Sequence, residues 1–174
     1  MTQIFESRTA SCFLRPAQPE DASFLLLLFA ESQDQLARLR PDEALWRSLV
    51  HMQFRGRAMT YAAQFPAAED SILLGEDGQP VGRLLLDRRP DRWRIVDIAV
   101  LASRRGQGLG TEVVRQCQQR AAAAGARLEL QVRPENPARR LYERLGFRVA
   151  SEAGFAVELV WSAADEMQSG EEKP

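Results

Sequence analysis

Gly106, Gly108 and Gly110 stand at alternate positions between an apolar run, 95–101, and an amphipathic segment. No other feature constrains the chain as much. The turn reads Arg104-Arg105-Gly106-Gln107-Gly108-Leu109-Gly110-Thr111. Glycine lets a backbone turn sharply and approach a ligand closely. The helix opening here has first-turn N–H groups without intrahelical acceptors. With the helix dipole, those donors suit a phosphate or pyrophosphate.

Two phosphate loops fail against this segment. A P-loop needs Lys and then Ser or Thr after its last glycine, and Gly110 is followed by Thr111-Glu112. The dinucleotide fingerprint needs Gly-x-Gly-x-x-Gly, which glycines at 106, 108 and 110 do not supply. What remains is Arg105-x-x-Gly108-x-Gly110 after a strand, or an ordinary glycine-rich connection.

The elements around the loop follow from periodicity. Cys12-Phe13-Leu14-Arg15 predicts a short strand ended by Pro16. Pro19-Glu20-Asp21 opens a helix predicted to run to about Leu39, with Phe24, Leu27, Leu28 and Leu36 near one face. Pro41-Asp42-Glu43 opens a second, with Leu45, Trp46, Leu49 and Met52 inward, stopped at Phe65-Pro66. Strands are predicted at 71–74 and 81–86 around Asp77-Gly78, a strong hairpin signal, and at 93–101. The helix after the glycines places Val113, Val114, Cys117, Ala121 and Ala124 on one face and stops at Gly125. Leu128, Leu130 and Val132 alternate as a strand. Asn136 caps a short helix with Pro137 at its first position, ended by Gly146. A last hairpin pairs 147–151 with 155–161.

The order is β-α-α-β-β-β-α-β-α-β-β. It predicts an α/β (α+β mixed) domain over 9–162. Its central sheet is part antiparallel and part parallel, of about seven strands, with helices on both faces. The acidic segment 163–174 is expected to be a disordered tail.

Composition narrows the function classes. The 174 residues suit one domain with a sizeable core. A formal net charge of -1 gives no electrostatic case for nucleic acid. Cys12 and Cys117, the only cysteines, fit reduced thiols better than a disulfide framework. His51 is the sole histidine, which argues against a zinc site or a His-based triad. The N-terminus lacks a signal-peptide core, and the apolar run 24–30 is too short for a bilayer. A cytoplasmic protein with no metal, no membrane and no nucleic-acid partner is expected.

A second block reads Asn136-Pro137-Ala138-Arg139-Arg140-Leu141-Tyr142-Glu143-Arg144-Leu145-Gly146-Phe147. Together the two blocks, with Asp97-Ile98-Ala99-Val100-Leu101 before the loop, resemble the GNAT superfamily of N-acetyltransferases. The likeness is specific from 95 to 149 and vague before 70.

The resemblance implies acetyl-CoA as co-substrate. Backbone groups of Ile98, Ala99 and Val100 would hold the pantetheine arm and the thioester carbonyl. Arg105, Gly106, Gln107, Gly108, Leu109, Gly110 and Thr111 would wrap the pyrophosphate. Asn136 would bond the pantetheine, and Arg139 or Arg140 would reach the adenine end. Tyr142 would protonate the departing thiolate; the alternative is an aromatic packed beneath Leu141 and Phe147. The general base stays open among Asp97, Glu129 and water, because Gln131 stands where some members carry glutamate. Ala102 stands where the family often has proline. Gln33, Gln53, Arg57, Tyr61 and Phe155 are nominated for the acceptor pocket.

The implied activity is direct acetyl transfer to a primary amine, a small molecule or a protein N-terminus, in a ternary complex. A non-catalytic acyl-CoA-binding module on the same fold is the alternative, and the resemblance leaves a homodimer open.

Overall fold

An extended segment becomes a strand only where its backbone groups find partners, and among the described residues seven segments do so in one sheet. The computed structural model describes residues 13–33 and 42–164. The strands are β1 (Phe13–Pro16), β2 (Glu69–Leu74), β3 (Pro80–Arg88), β4 (Arg92–Val100), β5 (Arg127–Val132), β6 (Arg148–Ala153) and β7 (Ala156–Trp161). The helices are α1 (Ala22–Glu31), α2 (Glu43–Gln64), α3 (Leu109–Ala123) and α4 (Arg139–Arg144), with short 3-10 turns at Pro19–Asp21 and Ala102–Arg104. The sheet order is β1-β2-β3-β4-β5-β7-β6. The sheet is mixed: β4 and β5 pair in parallel, while β1 with β2, and β7 with both β5 and β6, pair antiparallel. The predicted order of elements and fold class are those observed.

The chain divides into two units, Met1–Leu85 with Asp97–Leu109, and Leu86–Val96 with Gly110–Pro174. In the first, Ile72 and Leu73 are adjacent and both fully buried. Neighbouring strand residues point to opposite faces, so both faces of β2 are covered there. Phe29 of α1 packs with Trp46 and Val50 of α2, and its ring lies 5.6 Å from that of Phe54. The Asp42 side chain accepts the Ala44 amide at 2.8 Å and so caps α2. At the start of the chain, Arg15 donates twice to the Asp21 carboxylate, both at 2.7 Å.

In the second unit, Val113, Val114, Cys117 and Ala121 bury one face of α3. On β5, Leu128, Leu130 and Val132 are buried as the alternation predicts. Gln118 donates to the Leu145 carbonyl at 2.6 Å and ties α3 to the end of α4. Gly125 has φ of 67°, a conformation that favours glycine, and ends α3 where predicted.

Several expectations need correction. α1 ends at Glu31, and the remainder of the predicted helix from 34 lies outside the described residues. Leu27, Leu45 and Met52, expected inward, are 52%, 59% and 63% exposed. The reason is that α2 packs on its Trp46–Val50–Phe54 edge, and Leu45 and Met52 fall on a different edge. α4 starts at Arg139 rather than Pro137, although Asn136 Oδ1 accepts the Ala138 amide at 2.9 Å. Strand ends differ from the prediction by a few residues, the usual fraying of pattern at boundaries. Cys12 and most of the predicted tail lie outside the described residues.

Candidate active site

Within the second unit, parallel pairing of β4 with β5 runs from Arg92↔Arg127 to Ile95↔Leu130. β4 then continues through Val96 to Val100. On the neighbouring strand β3, a Cβ placed on Gly82 would lie 2.5 Å from the Ala99 carbonyl oxygen, so only glycine allows that approach. The Leu101 amide donates to the Val81 carbonyl at 2.9 Å, and the chain turns into the glycine loop.

The loop is anchored at its entry. The Ala102 amide donates to Glu31 Oε2 at 2.8 Å, and Arg104 pairs with Asp77 at 2.9 Å. The Gln79 amide, and with it Arg104, holds the Asp77 carboxyl below its ordinary range. Arg105 folds back, its Nε donating to the Val100 carbonyl at 3.1 Å. Gly106 and Gly108 have φ of 77° and 85°, where a side chain would be strained. Among the described residues, the amides of Gly106, Gln107 and Gly108 meet no acceptor. No atom lies within 4 Å of where a Cβ would stand at Gly106, Gly108 or Gly110. Uncommitted donors at a helix start, on a loop with no side chains at its glycines, fit a diphosphate.

A cavity of about 220 Å³ opens in the first unit. Leu25, Leu28, Phe29, Phe54 and Ala58 form its apolar wall, and Ile98 and Ala99 bring β4 to it. Its polar wall is a connected chain of side chains. Arg57 donates from Nε to the Tyr61 hydroxyl at 2.9 Å and from Nη2 to Asp97 Oδ1. Its guanidinium also lies 5.5 Å from the Phe29 ring centroid and 5.1 Å from that of Tyr61. Arg83 donates to Asp97 Oδ2 at 3.2 Å and grips Asp70 through two bonds of 2.8 Å. Burial disfavours the charged form of Arg83, but Asp70 and Asp97 outweigh it and its pKa is raised.

So the structure brings together Asp97, Arg57, Tyr61, Ile98 and Ala99, which the sequence nominated for three separate roles. Asp70 and Arg83 were missed. Arg83 was the one charged residue of the predicted strand 81–86, a usable signal, whereas Asp70 lay just outside the predicted strand 71–74 and gave none. Gln33, at the end of α1, donates to Ser32 at 3.2 Å, and Gln53 is half-buried on α2. Phe155 sits on the β6–β7 turn and is 93% exposed.

In the second unit Tyr142 is 5% exposed, its ring edge-on to Phe147 at 5.8 Å. Arg139 is engaged by Glu143 at 2.8 Å and Glu152 at 2.9 Å. Glu129, also 5% exposed, sits among Arg127 at 2.7 Å, Arg94 at 3.7 Å and Arg92 at 3.8 Å. Burial pushes the Cys117 thiol up to about 12. Among the described residues, no group of three or more His, Cys, Asp and Glu side chains is placed to hold a metal ion. Also among them, no helix is long and apolar enough to cross a membrane.

The family model of the acetyltransferase (GNAT) family matches residues 29–147. The chain belongs to the GNAT acetyltransferase family. No sequence relative matches it among curated proteins. Solved GNAT structures share its fold at low identity. PaiA N-acetyltransferase from Thermoplasma acidophilum, in complex with coenzyme A, superposes with a TM-score of 0.66 at 14% identity. That match covers 87% of this chain and 98% of the other. An acetyltransferase from Thermus thermophilus gives 0.63 at 22% identity, covering 87% and 97%. A chimera of spermidine N-acetyltransferase SpeG from Vibrio cholerae and hSSAT gives 0.64 at 15%, covering 91% and 99%. The GNAT frame puts the glycine loop and the cavity in one acetyltransferase fold.

Proposed function

We propose that this GNAT protein transfers an acetyl group from acetyl-CoA directly to a primary amine. One observation carries the reading. The loop amides of Gly106, Gln107 and Gly108 have no internal acceptor among the described residues, and the helix they open bears the positive end of its dipole. Acetyl-CoA supplies an activated acyl thioester. The loop from Arg105 to Thr111 would hold its pyrophosphate. Backbone groups of Ile98, Ala99 and Val100 would orient the thioester and polarise its carbonyl, a large term in acyl transfer. Asn136 and Arg139 would contact the rest of the carrier. The Tyr142 hydroxyl would give a proton to the leaving sulfur.

The cavity beside Ile98 and Ala99 would take the amine. Asp97 lines it and would accept the amine proton, directly or through water. Glu129 sits among three arginines, which favours a structural role for it. Among the described residues no thiol supports a covalent acyl carrier: the one cysteine there, Cys117, is buried with a raised pKa. This supports direct transfer in a ternary complex.

Calorimetry on the Gly108→Glu variant tests the loop, with circular dichroism confirming its fold. Bulk and negative charge there should abolish acetyl-CoA binding, and undiminished binding by the folded variant would remove the loop from the site. A CoA-release assay over an amine panel tests turnover. Binding without turnover on every amine would favour the non-catalytic module.

A further inference from the structure

The groups lining the cavity show which end of an acceptor they can receive. Arg57, Arg83, Asp70 and Asp97 sum to no formal charge. Each carboxylate oxygen of Asp70 and Asp97 already receives a guanidinium N–H. The Ser32 hydroxyl donates to the Phe29 carbonyl at 2.6 Å. Arg57 differs. Its Nε and Nη2 are engaged, while Nη1 meets no acceptor among the described residues. Its guanidinium is also held in place by the Phe29 and Tyr61 rings. An ordered, part-buried donor pair of this kind is completed by an acceptor, best a charged one.

We infer that the amine acceptor carries a carboxylate, which Arg57 binds through Nη1, and an apolar side chain, which the Leu25–Leu28–Phe29–Phe54 wall receives. This rests on the transferase reading above. A zwitterion matches a neutral ion-pair chain: its carboxylate meets Arg57 and its ammonium meets Asp97. A polycation has the ammonium but no carboxylate for Arg57, and its further positive charges would meet two arginines in a chain with no net negative charge to offset them. A cavity of about 220 Å³ suits a molecule of amino-acid size. The acceptor class is therefore an apolar amino acid, acetylated on its amine. The ammonium first gives one proton to Asp97, directly or through water. The amine nitrogen then bonds the acetyl carbon, the carbon–sulfur bond breaks, and the thiolate takes a proton through Tyr142. The nitrogen's second proton passes to solvent, so that one proton is released overall.

The test is a kinetic comparison on the wild-type protein of L-leucine, leucinamide and 3-methylbutylamine, with spermidine as polycation. Leucine should exceed the two leucine analogues in kcat/KM by about ten- to a hundredfold, the range of one charge-assisted hydrogen bond. Equal or better turnover of leucinamide, 3-methylbutylamine or spermidine overturns the inference and leaves the transferase reading intact. No acetylation of any amine overturns both, while calorimetric binding of acetyl-CoA shows that the protein is folded and loaded. A second measurement uses Arg57→Gln and Arg57→Lys. Glutamine should raise KM for leucine several-fold more than KM for 3-methylbutylamine, whatever loss in kcat the two acceptors share through Asp97, and lysine should restore part of the preference. An equal loss on both acceptors would give Arg57 a merely structural role and overturn its assignment.

Discussion

The Ala102 amide donates to Glu31 Oε2 at 2.8 Å, joining the last residue of α1 to the turn that enters the glycine loop. Proline, common at this position in the family pattern, has no N–H to give. The alanine therefore adds a tie between the helix beside the cavity and the loop assigned to the pyrophosphate. Glu31→Ala and Ala102→Pro should each weaken acetyl-CoA binding by about two- to tenfold, the worth of one such bond. The double variant should be no worse than either single one, because both remove the same contact. Calorimetric titration of the three variants checks this; additive losses would separate Glu31 from the loop.

Tyr142→Phe keeps the edge-on ring contact with Phe147 and removes only the hydroxyl. As general acid, Tyr142 would be worth about a hundredfold or more in kcat. The variant should lose that much turnover while its acetyl-CoA affinity and melting temperature stay close to wild type. A fully active variant would make Tyr142 a core aromatic and nothing more.

Hydrogen bonds from Arg15, opposed by burial and aided by the Gln18 amide, hold the Asp21 carboxyl below its ordinary range. A group depressed in the folded state adds stability above its unfolded pKa, about 3.9 for aspartate. That contribution fades as the pH falls through the folded value. Urea midpoints of wild type and Asp21→Asn should therefore differ most near neutrality and converge in acid. A gap that widens on acidification would contradict the pairing.

Cys117 is fully enclosed and its thiol is pushed up to about 12, so little thiolate forms at neutral pH. In a Cys12→Ser background, a thiol-reactive dye should label Cys117 only after denaturant unfolds the protein, and transfer should persist in Cys117→Ala. Labelling of the folded protein, or loss of turnover in that variant, would reopen a covalent route.

The fold was legible because its signals are local. The Asp77-Gly78 turn, the stop at Gly125 and the alternation of Leu128, Leu130 and Val132 each specify their own geometry. The inward faces of α1 and α2 were less legible. Periodicity marks an apolar stripe, but the partner decides which edge is buried, and α2 turns Trp46 and Val50 inward rather than Leu45 and Met52. The site divided in the same way. The glycine loop is contiguous and readable. The chain from Tyr61 through Arg57, Asp97 and Arg83 to Asp70 joins residues far apart in sequence, and no spacing rule connects them. Only the register of the hairpin beside β4 brings Arg83 within reach of both carboxylates.

The missing side chain at Gly82 has a consequence for how this protein handles its load. With the Ala99 carbonyl only 2.5 Å from where a methyl group would stand, and Leu73 Cδ2 at 3.3 Å, any side chain at this point of β3 would push β4 away from its neighbour. If the thioester lies along β4 as proposed, a strand held this closely to its neighbour has little room to shift for a longer acyl group. On the proposed function, extra length on the acyl chain would then enter the cavity assigned to the amine. The backbone contact would thus turn acyl size and acceptor size into competing claims on one volume.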